Sequence, residues 1–542
     1  MVYLTNGILK NCYEKCITVF ERVIDCNMHI NAYVGEHENG FAESEFAGKY
    51  LDCCVNFYKH TKSEILLDHA KNLVNGILEN QHSNGYLGGY AKENEWITFS
   101  VWNQAFTVYG LLSYYKLTRD DRVLECAEKC VRNIAEHYMN EDDDILDSIN
   151  AGTEHISILI TLPELYTLTG NKLYLDFFEY IMNRLKNSTN NFFEFDTILN
   201  LRSKKGIENF MPLIAMVMYY EIKGDAAALR GAKKYWNELE ATQIRRPGNG
   251  TIGEHWTAGG NAAQFLGKEI NPNETCVSVG WGEFSAILFK QTKETKYLDA
   301  LEKVLYNHLI GSMNDDGSDF AYYQPNYGKR ITRTSENAYK CCRYRGFNAF
   351  SKLPDILFYE DDEDIVPVVY TASEYANDGI KIAEETNYPF DDRITFKISG
   401  NTDKHFKLRI PGSCQKYTLT VNGTVTDARE CDGYIALKIR DGDVISLKLN
   451  TTVSRDRVVI QDKNYVGYSY GCIVLVADSN VCRDIYGIKN TEAELTRNFA
   501  TEYNIEFCAD DFCLVDYASA GKKHETDEIC EWISAGGDDK KA

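Results

Sequence analysis

Five short polar segments recur through the first 360 residues, each between apolar runs of helical period, and they limit this region to stacked or ringed helical hairpins. The segments are Tyr58-Lys59-His60-Thr61, Tyr115-Lys116-Leu117-Thr118, Tyr166-Thr167-Leu168-Thr169, Tyr220-Glu221-Ile222-Lys223 and Phe289-Lys290-Gln291-Thr292, with starts 57, 51, 54 and 69 residues apart. Six residues beyond each segment stands a leucine: Leu67, Leu124, Leu175, Leu229 and Leu298. Each unit reads as helix, tight polar turn, helix, and Gly170-Asn171 and Gly224-Asp225 supply C-cap and turn chemistry in two of them. Asn348 to Phe358 leaves room for a sixth unit. An open solenoid is the alternative, but its repeats usually run about 34 to 45 residues, so these longer units fit a closed (α/α)6 toroid better.

The pattern changes near Asp361-Asp362-Glu363-Asp364. Short alternating segments follow, among them Ile394-Thr395-Phe396-Lys397-Ile398, Phe406-Lys407-Leu408-Arg409-Ile410 and Val444-Ile445-Ser446-Leu447-Lys448-Leu449, with turn signals at Asn422-Gly423 and Asp441-Gly442-Asp443. That rhythm indicates a β-sandwich. The expected organisation is an (α/α)6 barrel over residues 1–362, a β-sandwich region over 363–535 as one or two β units, and a disordered tail at 536–542. Residues 480–535 carry no clear period.

The net charge of −22 argues against nucleic acid or an anionic membrane as a partner. No run of 18 apolar residues is present, and the N-terminus lacks a basic region followed by an apolar one, so a cytoplasmic protein is expected. The 17 cysteines are odd in number and follow no disulfide framework, which suggests that most are buried, reduced thiols.

Chemistry concentrates in Gly253-Glu254-His255-Trp256, Asn273-Glu274-Thr275-Cys276 and Cys341-Cys342-Arg343. Glu274, Cys276, Cys341 and Cys342 form a Cys3Glu set that suits tetrahedral zinc and excludes magnesium or calcium by its softness. In a chain with this much cysteine, a Cys-Cys pair also arises as two buried thiols, as Cys53-Cys54 illustrates. Glu254 taken alone is an ordinary loop carboxylate, and His255 and Trp256 beside it hint at a sugar-binding cleft.

These motifs, in this order, resemble the β-L-arabinofuranosidases of glycoside hydrolase family 127 and its relative family 146. The likeness extends to Gln81-His82-Ser83-Asn84-Gly85-Tyr86-Leu87-Gly88 and to Leu408-Arg409-Ile410-Pro411-Gly412 and Val421-Asn422-Gly423 in the β region. It implies an (α/α)6 barrel followed by β-sandwich domains, and a retaining exo-glycosidase that releases β-L-arabinofuranose or a related sugar from plant-derived oligosaccharides. Carried over by position, Glu274, Cys276, Cys341 and Cys342 match the zinc ligands, Cys341 the nucleophile and Glu254 the acid/base. His155 matches a pocket histidine by its place in the repeat, while a second one is missing: the equivalent turn holds Trp102, Asn103, Gln104 and Phe106.

One departure bears on the sugar. Family members follow the Cys-Cys pair with prolines and an asparagine, whereas here Arg343-Tyr344-Arg345-Gly346 follows. The arginines either lie at a helix surface or line the cavity and meet a carboxylate-bearing sugar. Three readings therefore stand: the arabinofuranosidase, with a glycoside or oligosaccharide substrate bound near His155, His255, Trp256 and Arg343; a zinc-stabilised carbohydrate-binding scaffold without activity; and a toroid hydrolase or lyase acting on uronic-acid oligosaccharides. The exposed sandwich faces are compatible with a homodimer.

Overall fold

The structure is a computed structural model that describes residues 1–35, 43–140, 143–194, 196–258, 271–330, 341–460, 462–524 and 526–535. The tail expected at 536–542 lies outside them. The helical part is built from α1 (Gly7–Arg22), α2 (Glu43–Thr61), α3 (Glu64–Glu79), α4 (Ser100–Thr118), α5 (Asp121–Asn140), α6 (Leu162–Thr169), α7 (Lys172–Lys186), α8 (Gly206–Lys223), α9 (Ala226–Thr242), α10 (Thr275–Thr292), α11 (Lys296–Lys303) and α12 (Cys341–Ser351). Six elements form an inner ring: α2, α4, the 3-10 turn His155–Ile160 that leads into α6, then α8, α10 and α12, which closes back on α2. This is the closed (α/α)6 toroid that the repeat predicts, not an open solenoid.

Each recurring polar segment ends an inner helix in the same way. The next residue is left-handed at Lys62 (φ 58°), Arg119 (φ 56°), Gly170 (φ 68°), Gly224 (φ 70°) and Lys293 (φ 62°). Its N–H donates to the carbonyl of the segment's first aromatic residue, at 2.8 to 2.9 Å in all five. Asn171 and Asp225 then cap the following outer helices, accepting from Leu173 N and from Ala227 N and Ala228 N. A left-handed lysine is strained where glycine is not. Lys62→Gly is therefore expected to raise stability by about 0.5–1 kcal/mol, measured as a higher urea midpoint at unchanged m-value.

The sixth hairpin departs from expectation. After α12 the chain makes one turn, Leu353–Ile356, and enters the strand Phe358–Glu360, so no outer helix follows Asn348. The outer partner of α12 is α1, from the other end of the ring, which buries Leu9, Cys12, Cys16, Val19 and Phe20. Phe20 stacks edge-on against Phe347 of α12, with ring centroids 5.0 Å apart. No turn motif marks this pair, because no turn joins its two helices.

The β part begins with two facing sheets. A seven-stranded sheet runs in the order Val2–Leu4, Ser373–Asn377, Ile380–Thr386, Arg393–Gly400, Val444–Lys448, Thr418–Val421, Thr424–Val425. A four-stranded sheet holds Tyr434–Lys438, His405–Arg409, Asp364–Pro367 and Phe358–Glu360. Inward residues alternate along the strands, and Phe396 of one sheet meets Phe406 of the other at 5.0 Å. The chain beyond Val453, including the stretch without a clear period, enters a third sheet, whose strand Glu528–Cys530 pairs with Tyr327–Lys329 from the helical part. Cys508 and Cys513 are joined by a disulfide across one hairpin of that sheet, and the other cysteines are free thiols. Among the described residues no helix is long and apolar enough to cross a membrane.

The buried guanidinium of Arg409 links ring and sandwich. It pairs with Asp299 at 2.5 Å and with Glu302, both on α11. Tyr388 from the sandwich donates to the other Glu302 oxygen at 2.9 Å.

Candidate active site

The inner helices place their N-termini at one mouth of the ring, and the two cysteine clusters are two of these N-termini. Glu274 is the extended residue that precedes α10, Cys276 lies in its first turn, and Cys341-Cys342 opens α12. The segment 320–324 ties them together. Thr275 N donates to Tyr322 O at 3.0 Å, and Thr275 Oγ1 to Ala321 O at 2.7 Å. One oxygen of Glu274 and the three sulfurs all lie within 4.8 Å of one another, so the cluster can hold a metal ion. Cys276 Sγ is 3.3 Å from Cys341 Sγ and 3.2 Å from Cys342 Sγ, and Cys342 Sγ is 3.8 Å from Glu274 Oε1. Glu274 Oε2 is buried without a hydrogen-bond partner among the described residues. Three soft sulfurs and one orphaned carboxylate oxygen fit a tetrahedral cation.

The three thiols are not equivalent. Hydrogen bonds from Cys276 and then Cys342 hold Cys341 well below the ordinary thiol range, with help from the Lys49 ammonium and the Tyr322 hydroxyl. Burial pushes Cys276 and Cys342 up. Cys341 is thus the thiol of the set most readily deprotonated, and it is the one that is not fully buried. Lys49 is itself buried, paired with Glu45, and sits over the Phe106 ring at 4.2 Å.

Glu254 reaches the same place on a separate loop. Gly206 N donates to Glu254 O at 2.8 Å and Trp256 N to Lys204 O at 2.9 Å, which docks the loop onto the start of α8. Glu254 itself is left-handed, at φ 71°, as is Asn273 at φ 58° beside the cysteine cluster. Such strain costs roughly 1–3 kcal/mol per residue and gathers where geometry serves function. Tyr322 and Tyr323 donate to Glu254 Oε1 at 2.7 and 2.8 Å, and Lys205 Nζ lies 2.9 Å from Oε2. The Tyr322 hydroxyl is also 3.4 Å from Cys341 Sγ, so one hydroxyl spans the sulfur and the carboxylate.

The other expected pocket residues are placed less favourably. His255 is exposed on the same loop, with Nδ1 2.6 Å from Gly253 O. Trp256 is buried in the core, edge-on to Phe210 at 5.9 Å, and does not line the mouth. His155 is a satisfied structural histidine rather than a free pocket group. Its ring nitrogens meet Tyr138 OH and Thr98 O, each at 3.1 Å, and burial lowers its pKa to about 4. Arg343 is turned away from the cluster, because two residues along a helix rotate a side chain by about 200°. Its guanidinium sits near Ser318 O at 3.4 Å and Asp319 at 3.9 Å. Arg345, one turn on from Cys341, faces the lumen, where it pairs with Glu283 at 2.5 Å and lines a cavity of about 420 Å³. Neither arginine brings an unpaired charge to the cysteine cluster. Tyr322, Tyr323, Lys205 and Lys49 were not apparent in the sequence, since each stands in an unremarkable local context.

Comparison with known proteins identifies the family. Residues 6–355 match the model described as β-L-arabinofuranosidase, GH127 catalytic domain, and residues 365–451 match its GH127 middle domain. A non-reducing end β-L-arabinofuranosidase from Bifidobacterium longum subsp. longum is 22% identical in an alignment 444 residues long that covers 70% of this chain and 66% of that protein, just under two thirds of its length. The crystal structure of a GH127 β-L-arabinofuranosidase from Geobacillus stearothermophilus T6 superposes with TM-score 0.80 at 17% identity, covering 99% of this chain and 100% of that one. A further GH127 β-arabinofuranosidase structure gives TM-score 0.84 at 19% identity, covering 98% and 96%. These structures share the fold of both the helical and the β parts. Matched by family models across its helical ring and its first sandwich, the chain belongs to glycoside hydrolase family 127.

Proposed function

We propose that this protein is a retaining glycoside hydrolase that releases β-L-arabinofuranose from the non-reducing end of oligosaccharides, with Cys341 as nucleophile and Glu254 as acid/base. The observation that carries the reading is the single tyrosine hydroxyl between Cys341 Sγ and Glu254 Oε1. Contacts of 2.7 and 3.4 Å to that hydroxyl keep the carboxylate oxygen and the sulfur closer than the ~6.5–9.5 Å between the carboxyl groups of inverting glycosidases. The family, and the name of the Bifidobacterium relative, support the sugar.

Glu274, Cys276, Cys341 and Cys342 would hold zinc. Bound there, the ion supplies the positive charge that keeps the thiols deprotonated at neutral pH. Cys341 Sγ attacks the anomeric carbon while Glu254 gives its proton to the leaving glycosidic oxygen. The product is a thioglycosyl bond to Cys341. Glu254, now a carboxylate held by Tyr322, Tyr323 and Lys205, takes a proton from water as its oxygen displaces the sulfur. Two displacements at one carbon restore its configuration and return the Cys341 thiolate.

Protein purified under reducing conditions is expected to carry about one zinc per chain by mass spectrometry of the metal, and less than about half an equivalent would undercut the site. Glu254→Gln should lower kcat/KM on an alkyl β-L-arabinofuranoside by about 10²–10⁴-fold. On an activated aryl β-L-arabinofuranoside the same variant should build up the thioglycosyl intermediate, seen by intact mass as one pentosyl adduct on Cys341. Full turnover by this variant on both substrates would remove Glu254 from its role.

A further inference from the structure

A second group of metal-ligating side chains lies in the third sheet, outside the helical ring. The strands Glu506–Cys508 and Cys513–Asp516 form a hairpin in which Cys508 stands opposite Cys513. Ala509 N donates to Phe512 O at 2.8 Å and closes its turn. Residues two apart in a strand share a face, so Glu506 and Cys508 point the same way. One oxygen of Glu506 and the sulfurs of Cys508 and Cys513 all lie within 4.8 Å of one another. The two sulfurs are joined as a disulfide. Cys482 Sγ accepts from Cys513 N at 3.4 Å and so pins the backbone beside them.

The disulfide leaves two features of Glu506 without a cause. The first is its missing counter-charge. Glu506 is 6% exposed, and among the described residues no lysine, arginine or histidine pairs with it. Asn498 Nδ2 donates to Oε1 at 3.1 Å and Thr501 Oγ1 donates to Oε2, but both donors are neutral. A buried carboxylate without a counter-charge is destabilising. The second is position, since Glu506 Oε1 lies 3.2 Å from Cys508 Sγ. A disulfide sulfur carries no hydrogen to donate, so nothing in the oxidised pair attracts that oxygen. A cation shared by the oxygen and two thiolates accounts for both. Asn498 and Thr501 then become the donors that orient a ligating carboxylate. The exposed Asp510 and Asp511 add negative charge at the turn beside the sulfurs.

We propose that Glu506, Cys508 and Cys513 form a zinc site when the disulfide is reduced. The hairpin is then cross-linked by the sulfur–sulfur bond under oxidising conditions and by the metal under reducing ones. Two thiolates and a carboxylate are zinc ligands, and a water completes the tetrahedron. The soft sulfurs exclude magnesium and calcium. The exchange takes two steps. A dithiol reductant cleaves the Cys508–Cys513 bond, gives two electrons and two protons to the two sulfurs, and leaves as its own cyclic disulfide. Zinc then displaces those two protons to solvent and bonds to both sulfurs and to Glu506. Three protein ligands with half-buried sulfurs hold zinc more weakly than a buried set of four, so this site fills only when zinc is supplied. It is independent of the roles of Cys341 and Glu254.

Iodoacetamide labelling of the folded protein, with adducts located by peptide mass spectrometry, tests the site directly. Cys508 and Cys513 should stay unlabelled in the oxidised protein. After dithiothreitol and its anaerobic removal both should be alkylated. Zinc at about ten times its dissociation constant should slow that alkylation by about tenfold, and magnesium should not. Zinc titrated into the reduced protein should show one equivalent beyond the metal the chain carries as purified. Cys508→Ser should lose that equivalent, and Glu506→Gln should weaken its binding by about tenfold or more. Glu506→Gln keeps both sulfurs and the disulfide, so it decides the matter if Cys508→Ser does not fold. Equal alkylation rates with and without zinc would overturn the site, as would a disulfide that dithiothreitol does not open in the folded protein. An undiminished extra equivalent in Cys508→Ser, or in Glu506→Gln at unchanged affinity, would also overturn it.

Discussion

Cys341→Ala is expected to lower kcat/KM on a β-L-arabinofuranoside by about 10⁴-fold or more, or about 5.4 kcal/mol of transition-state stabilisation. In the proposed mechanism the sulfur is the atom that forms and breaks a bond in both steps, and no neighbour replaces it. Cys276 and Cys342 are buried where Cys341 is partly exposed, so neither stands in its place. Three of the proposed ligands, Glu274, Cys276 and Cys342, remain in Cys341→Ala, so metal content should fall less than turnover does. Cys342→Ala makes the complementary case. Its sulfur accepts from Cys276 N at 3.3 Å inside the fold, so its loss should cost bound metal and stability together. Kinetics paired with metal analysis on both variants separates the roles. Turnover by Cys341→Ala within tenfold of the unmodified protein would disprove the nucleophile assignment.

Arg409→Ala should destabilise the fold by about 3–5 kcal/mol, because it strands the buried Glu302 carboxylate without its cation. Arg409 and Glu302 are each fully buried, and Asp299 loses its partner too. Burial already raises the Glu302 pKa, and Arg409 is the main force opposing it. Without Arg409 that rise should grow. A folded-state pKa above the unfolded value gives stability that is present at low pH and lost as pH climbs through it. The destabilisation should therefore be larger at pH 8 than at pH 5. Urea unfolding at the two pH values measures this, and a loss below about 1 kcal/mol at pH 8 would show that the junction is not held by this pair.

Much of the ring could be read from the chain because its signals are local. The five polar turns fall where the five left-handed C-caps lie, including Lys62, Arg119 and Lys293, which no glycine marks. The sixth hairpin could not be read this way, since α1 and α12 meet only when the ring closes. The repeat singles out His155, but only the fold shows that Tyr138 and Thr98 take both of its nitrogens.

By itself the sequence determined the three cysteines and the glutamate of the candidate metal site, their two clusters and the hairpin period. These depend on residue chemistry and on spacings of a few positions, which the chain carries wherever it folds. Tertiary structure alone decided which sulfur of the cluster is partly exposed, that Tyr322 spans Cys341 and Glu254, and that Lys205 stands between Glu254 and Glu208. Those relations join residues tens of positions apart whose local contexts are ordinary. They arise because inner helices from different repeats bring their N-termini to one mouth, where burial and mutual charge, rather than residue type, set what each group does.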